Sequence, residues 1–183
     1  MRYSKALPAF FLGFTLACGG GSDADPASEK SDGSEMKTAS AADLPDPCAL
    51  VTDDEISALL WRGMEAGQRE GLQARNAKHV FERRVENVEI PAGRTCYIQY
   101  RLMARDTLWQ EGGFQLRTLA RQTFRIFAES SPSKHKPIPG VGDEAFFMSN
   151  EAFGRRGDVG VEVNFASEDV AKELLQHALG RLP

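Results

Sequence analysis

Three cysteines carry the most reactive side chains of this 183-residue chain: Cys18, Cys48 and Cys96. A thiol can accept a lipid, form a disulfide or bind a metal ion, and its surroundings decide which of these chemistries is available. Cys18 ends a short apolar run and is followed by glycines, whereas Cys48 and Cys96 lie in segments of ordinary globular composition. Their positions therefore divide the three thiols into a single residue and a pair.

The start of the chain has the parts of an export signal. Arg2 and Lys5 form a short basic start, and residues 6–17 form an apolar run that ends in a small residue. A bilayer span needs about 20 helical residues, so residues 1–17 predict a signal peptide rather than a lasting span. A buried N-terminal helix is the poorer alternative, because a polar, glycine-rich tract follows at once.

The segment Thr15-Leu16-Ala17-Cys18-Gly19 resembles the lipobox of bacterial lipoproteins, with Thr15 where Leu is usual. In that motif the cysteine becomes the lipidated N-terminus, and two or more acyl chains hold a protein firmly on a membrane. The alternative is ordinary cleavage that leaves a soluble exported protein. We predict lipidation of Cys18 and a place in the bacterial cell envelope. Gly19 rather than Asp favours the outer membrane where there are two.

If Cys18 is the anchor, Cys48 and Cys96 remain as a pair in an oxidising compartment. A disulfide between them would contribute about 4 kcal/mol in the chain-entropy model. A metal site is the weaker alternative, because the chain has no CxxC pattern. Its histidines are isolated from one another: His79, His135 and His177. We predict the Cys48–Cys96 disulfide, no metal and no cofactor.

Residues 18–43 are predicted to be the lipidated cysteine and a disordered tether. Residues 19–43 contain no aromatic residue and carry six acids against two lysines, too little apolar surface to offset chain entropy. As a flexible coil this segment would span roughly 25–30 Å. Residues 44–183 have the size of one domain, and their 18 basic and 20 acidic residues argue against a nucleic-acid surface.

The elements that would position any site begin with a helix after Thr52. Thr52 and Glu55 form a capping-box pattern, and Gly63 is a plausible end. Asp53, Asp54 and Glu55 could suggest calcium, but acids are common in a first helical turn. Residues 64–79 give no clear pattern, 80–90 favour a strand, and 94–103 alternate with Cys96, Ile98 and Tyr100 inward.

The spacing of apolar residues over 115–129 predicts a central helix; the alternative is a short strand with Phe114, Leu116 and Thr118 that leads into a shorter helix. On the longer helix, Arg117, Arg121 and Arg125 would share one face. That face would be an anion-binding strip or, as we expect, an ordinary solvated surface.

A strand from Glu144, a hairpin turning at residues 156–158 and a closing helix capped by Ser167 complete the pattern. Four residues of the second hairpin strand are predicted to point inward: Val159, Val161, Val163 and Phe165. Gly160, Glu162 and Asn164 are predicted to point outward. Val170, Leu174, Ala178 and Leu182 should form the buried face of the last helix. The prediction is an α+β domain: an antiparallel sheet packed with N-terminal, central and C-terminal helices and one disulfide.

Several residues leave more than one interpretation open. Asp143, Glu144 and Asp158 could meet around a cation, but carboxylates beside turns are common. The glycines of "GVGDEA" precede a strand rather than a helix, which favours a tight turn over a phosphate loop. Phe146 and Phe147 are adjacent on a strand and so face opposite sides of the sheet. One of them can enter the core, and the other could line a cleft with Phe153, although core packing is the commoner outcome. The same ambiguity applies to these aromatic residues: Phe146, Phe147, Trp61 and Trp109.

Three short segments occur together in this chain: Asp46-Pro47-Cys48-Ala49-Leu50-Val51-Thr52, Cys96-Tyr97 and Pro139-Gly140-Val141-Gly142-Asp143-Glu144-Ala145. With the hairpin at 155–163 and the closing helix, they resemble a family of small bacterial envelope lipoproteins whose common domain has no assigned function. The resemblance covers most of residues 44–183, while 64–90 form a longer polar insertion. It implies a compact, disulfide-linked α+β domain and carries over no active site.

No GxSxG, HExxH or EF-hand pattern is present in the sequence. The leading hypothesis is a membrane-tethered binding or interaction module whose partner is an envelope protein or a small ligand, not nucleic acid. One alternative is an envelope hydrolase with an unrecognised site. Another is a structural envelope protein.

Overall fold

The structure, a computed structural model, describes residues 40–88 and 93–183. The predicted signal peptide, the predicted lipidation site Cys18 and the predicted tether up to residue 39 lie outside the described residues. The described residues all belong to one compact unit. A 3-10 turn at Ala41–Asp43 already occupies the last residues of the predicted tether.

Four helices and seven strands make up the domain, which confirms the predicted α+β fold. The helices are α1 (Asp53–Arg62), α2 (Ala66–Gln73), α3 (Arg121–Glu129) and α4 (Glu168–Gly180). The strands are β1 (Lys78–Val88), β2 (Gly93–Ala104), β3 (Thr107–Ala120), β4 (Lys136–Pro137), β5 (Glu144–Met148), β6 (Glu151–Arg156) and β7 (Val159–Asn164). Further 3-10 turns lie at Pro47–Ala49 and Pro132–Lys134.

One antiparallel sheet contains all seven strands in the order β1-β2-β3-β7-β6-β5-β4. The first three strands form a meander, and β3 joins it to the later strands by pairing with β7. That pairing runs from Gln115, opposite Asn164, to Ala120, opposite Val159. Because β3 begins at Thr107, its first half extends beyond the end of β7.

Helix α1 begins at the predicted capping box. The Thr52 backbone N–H donates to Glu55 Oε2 at 2.8 Å, and the Glu55 N–H donates to Thr52 Oγ1 at 3.3 Å. The helix ends at Gly63, as predicted. In the segment without a clear pattern, Ala66–Gln73 forms α2, whose Leu72 packs with Leu102 and Ala104 of β2.

The predicted helix over 115–129 was wrong in its first half, where the alternative holds. Residues up to Ala120 continue β3, and the helix begins at Arg121. Phe114, Leu116 and Thr118 are buried on one side of the strand. Pairing with β2, and from Gln115 onward also with β7, holds this segment in the sheet despite its helical spacing. Arg117 is therefore on the strand and shares no helix face with the two later arginines.

Both faces of the sheet are packed around β5, β6 and β7. On one face α4 contributes its predicted Leu174 and Ala178 to the main core, which also contains Phe147. On the other face α3 places Phe124 among Phe146 and Phe153. The two adjacent phenylalanines thus face opposite sides, and the core interpretation of these rings is confirmed.

Gly160 and Glu162 lie on the opposite side of β7 from the main core, as predicted. That side was expected to be an outer surface, which was wrong, because α3 covers it. A Cβ on Gly160 would lie 2.9 Å from Cβ of Phe124, so the helix rests directly on the strand. Glu162 is buried, with 9% of its surface exposed. The sequence pattern gave the correct alternation of sides but not the second packed layer.

Candidate functional site

Cys48 and Cys96 form the predicted disulfide, with their Cα atoms 5.2 Å apart. Cys96, the fourth residue of β2, is fully buried. The bridge fastens the segment before α1 to an interior strand of the sheet. This cysteine pair therefore has a structural role.

Hydrogen bonds reinforce this attachment along the segment 44–51. The guanidinium of Arg94 donates to the Leu44 carbonyl at 2.9 Å, and the Thr118 hydroxyl donates to the Pro45 carbonyl at 2.9 Å. Arg83 of β1 donates to the Val51 carbonyl at 2.9 Å. The chain thus enters the domain flat against the sheet and bonded to three strands.

The glycine-rich motif before β5 forms a tight turn, as predicted. Gly142 has φ +60°, and a Cβ there would lie 2.5 Å from the Arg155 carbonyl oxygen, so a side chain has no room. Asp143 Oδ2 accepts a 2.8 Å hydrogen bond from the Gly157 N–H and so holds the β6–β7 turn. The motif fits these packing needs without any ligand.

The carboxylates considered for a cation have other partners. Asp143 and Glu144 lie beside the guanidinium of Arg155, at 3.3 and 4.0 Å. Asp158 pairs with Arg121 at 3.1 Å instead of joining them. Within residues 40–88 and 93–183, no three histidine, cysteine or acidic side chains are placed to share a metal ion.

A surface groove of about 450 Å³ lies where β7 ends and β3 continues. Its lining residues come from β2, β3, the β5–β6 turn and the C-terminal end of β7 with the two residues after it: Tyr97, Ile98, Gln99, Gly113, Phe114, Gln115, Asn150, Asn164, Phe165 and Ala166. We call this set the groove. Four of the lining side chains are carboxamides and none is charged. Carboxamides both donate and accept hydrogen bonds, so the groove can bind neutral polar groups.

Of the aromatic residues that border the groove, Tyr97 and Phe165 are partly exposed, whereas Phe114 is 6% exposed and belongs to the main core. Phe114 and Phe165 meet edge to face, with ring centroids 5.3 Å apart. Tyr97 is half-buried, and the Arg84 guanidinium lies 5.2 Å from the centre of its ring. Such rings offer contact area to an apolar or ring-shaped ligand group at little entropic cost.

Glu162 lies beside the groove, one position before the last pair of residues in β7. The pKa of Glu162 is raised to about 7: burial is the main cause, the nearby Glu151 adds to the rise, and Arg117 opposes it. Arg117 Nη1 lies 3.7 Å from Glu162 Oε2, too far for a hydrogen bond. Glu151 in turn accepts a 2.9 Å hydrogen bond from the Asn164 amide, which orients that side chain at the groove.

The structure also brings together a serine and a histidine that sequence analysis treated as unrelated. Ser57 Oγ lies 2.9 Å from His79 Nδ1. The ring of Trp61 meets His79 edge to face at 5.0 Å, and burial lowers the pKa of His79. A nucleophile beside a neutral imidazole has the first two parts of a hydrolytic site. Neither residue lines the groove, and aromatic rings surround the imidazole.

The two tryptophans differ in their surroundings. Trp61 is partly buried and packs against the small cluster around Leu72 and Leu102. Trp109 is 46% exposed near the tip of the β2–β3 hairpin, with Arg75 5.0 Å from its ring centre. The core interpretation therefore applies to Trp61, and Trp109 belongs to an exposed surface.

No protein-family model matches this chain, and comparisons with curated proteins and with solved structures found no similar protein. The resemblance to envelope lipoproteins therefore stays a prediction. In the described part of the chain, no helix has the length and apolar character that a bilayer crossing requires.

Proposed function

We propose that this protein is a lipoprotein of the bacterial cell envelope, anchored through Cys18, whose domain is a binding module. The predicted export signal and lipobox support the address, and the resemblance to envelope lipoproteins supports both. The groove is the surface through which the domain binds its partner or ligand.

The observation that carries the proposal is the uncharged, carboxamide and aromatic lining of the groove. Gln99, Gln115 and Asn164 are exposed on this sheet face, and of the three side chains only that of Asn164 has a hydrogen-bond partner within the described residues, Glu151. Amides and aromatic rings together bind neutral polar groups and apolar surface at once. A binding surface needs this combination, whereas a merely soluble surface would be served equally well by charged residues.

A crosslinking experiment in intact envelopes tests the groove. A photoreactive amino acid placed at Gln115, inside the groove, should yield a discrete crosslinked product. The matched control places the same amino acid at Gln122, an exposed glutamine of α3 outside the groove. Equal products from both positions, or none from Gln115, would refute binding through the groove.

Mass spectrometry of the mature N-terminus tests the anchor. We expect an acylated Cys18 and a protein that fractionates with membranes, whereas a Cys18→Ala variant should be released. An unmodified N-terminus at another residue would refute lipidation and leave the groove proposal standing.

Hydrolysis is the second candidate, and the Ser57–His79 contact is the observation that favours it. A fluorophosphonate probe should label Ser57 if the histidine activates it, and labelling should disappear in His79→Ala. Absence of labelling in the folded protein would leave the contact as a packing interaction between α1 and β1. A structural envelope protein, the third alternative, would show no saturable ligand at the groove.

A further inference from the structure

The first half of β3 has an unpaired backbone edge. β7 covers β3 from Gln115 to Ala120, whereas Thr107–Phe114 pairs with β2 alone in the described chain. On the other side of this segment, no strand among residues 40–88 and 93–183 pairs with its backbone. A row of unpaired N–H and C=O groups is a template for another strand.

The other two edges of the sheet carry recognised protection against such pairing. β4, at one end, has two residues, one of which is Pro137. β1, at the other end, is long but densely charged: Lys78, Glu82, Arg83, Arg84 and Glu86. Short strands, proline and charge are the devices by which proteins prevent edge-to-edge association.

The free segment of β3 lacks most of this protection. It has no proline, and Glu111 is its one charged residue. Leu108 and Trp109 are 48% and 46% exposed, so the edge also presents apolar surface. A bulge where Leu102 and Met103 meet β3 disturbs the tip of the hairpin, but from Gln110 the pairing with β2 is regular up to the groove.

We propose that Thr107–Phe114 binds an extended, uncharged peptide segment of a partner protein as an added β-strand. The segment would continue the line of β7 along the same edge of β3 and place an apolar side chain in the groove. This inference rests on the proposed binding function and names its ligand class.

The surroundings of the edge define the chemistry of this peptide. Main-chain hydrogen bonds to β3 supply affinity, and the groove selects a side chain at one position of the strand. The partly exposed rings of Tyr97 and Phe165 favour an apolar or aromatic group there. A charged group would lose hydration against a lining that offers it no opposite charge. Neutral sugars also suit amides and aromatic rings, but they would make no use of the free backbone edge.

Peptide display tests the proposal directly. A random peptide library on phage, with members long enough to span Thr107–Phe114, is selected on the folded domain, and enriched sequences are assayed as synthetic peptides. We expect uncharged sequences with β-branched and aromatic residues. In hydrogen exchange, the bound peptide should slow exchange of backbone amides within 107–114. No enrichment, or protection confined to β1, would overturn the proposal.

A pair of matched variants separates edge binding from general effects of charge. Leu108→Lys adds a charge to the free edge of β3, and we expect it to weaken peptide binding at least about tenfold. Val80→Lys adds the same charge at a similarly exposed apolar residue on β1, 38% exposed, and should leave binding unchanged. Equal weakening by both variants would overturn the assignment to β3.

Two further measurements, a titration of the domain with chitotetraose followed by NMR and the Gln115 crosslink, distinguish failure of this inference from failure of the proposed function. Saturable shifts of groove resonances with chitotetraose, without any selected peptide, would overturn the strand inference and retain a binding module. Loss of the Gln115 crosslink would refute the binding function itself.

Discussion

The two halves of the sheet solve the packing problem differently. In the closed half, β5, β6 and β7 lie between α4 on one face and α3 on the other. In the open half, β1, β2 and β3 are packed on one face and present the other to solvent, with Glu82, Gln99 and Arg101 exposed there.

This difference separates stability from binding capacity. The closed half buries large side chains in two layers, which is the usual source of folding free energy. The open half carries the groove, the free edge of β3 and the exposed aromatic residue Trp109. Substitutions in the closed half should therefore change unfolding, and those on the open face should change binding.

Removal of one ring from each half tests this division most severely. Phe153→Ala should destabilise the domain by about 3–5 kcal/mol, because Phe153 is fully buried under α3. Tyr97→Ala on the open face should cost under about 1 kcal/mol while weakening ligand binding. Urea unfolding measures the free energy of unfolding of both variants. Equal losses of stability in the two variants would contradict the division.

The disulfide is the principal covalent support of the open half. Replacing Cys48 and Cys96 together by alanine should destabilise the domain by about 2–4 kcal/mol. Hydrogen exchange should speed up in β1 and β2 more than in β5 and β6. Reduction of the wild-type protein is the control and should give the same pattern; uniform acceleration would contradict a local role.

Glu162 lies at the border between the halves. Its folded pKa of about 7 is above the ordinary value of 4.5, so its neutral form is favoured in the fold. The corresponding stability is fully present below pH 4.5 and is lost as pH rises through about 7. Glu162→Gln should therefore stabilise the domain by about 1–3 kcal/mol at pH 8 and little at pH 4.

Unfolding in urea across this pH range measures the effect. An unchanged difference between Glu162→Gln and the wild type from pH 4 to pH 8 would contradict a titrating buried carboxyl. Glu151→Gln, at a neighbouring partly buried acid, is the control; because Glu151 helps to raise the pKa of Glu162, this variant should move the transition to lower pH without abolishing it.

The smallest effect is expected at the contact that joins helices α1 and α4. A hydrogen bond from Arg181 is the main cause that lowers the pKa of Glu55 to about 2, against the opposing effect of burial. Its stabilisation is present above pH 4.5 and is lost as pH falls toward 2. Glu55→Gln should cost about 1–2 kcal/mol at pH 7, after allowance for solvent screening.

The cost should shrink as the pH is lowered, which acid titration of both proteins by circular dichroism would measure. Glu168→Gln, at an exposed acid in the first turn of α4, is the matched control. A pH-independent cost at Glu55 would contradict the hydrogen-bond assignment.

Local sequence patterns were enough to predict several individual elements of the fold. Thr52 and Glu55, which are three residues apart, specify the start of α1 through the reciprocal hydrogen bonds of the capping box. The hairpin at Gly157, which has φ +58°, and the alternation around Cys96 were likewise predictable. Each of these features depends on neighbours in sequence.

The errors arose where distant elements decide the outcome. Residues 115–120 have helical spacing, but a paired strand on each side holds them in β3. The burial of Glu162 depends on α3 crossing the sheet, which no spacing within β7 indicates. A shortage of outward charge in that strand was the one available signal.

The groove and the Ser57–His79 contact were missed for the same reason. The groove exists because β3 is longer than β7, and strand lengths are among the least certain features of a sequence pattern. Ser57 and His79 belong to different elements, and only the packing of α1 on β1 brings them together.

Under the proposed N-terminal anchorage, the disulfide determines where a pulling force enters the sheet. Tension on the chain before residue 40 enters at the segment hydrogen-bonded to Arg94 and Thr118, and passes through Cys48 to Cys96 in the sheet. The load therefore reaches an interior strand through a covalent bond before it reaches α1.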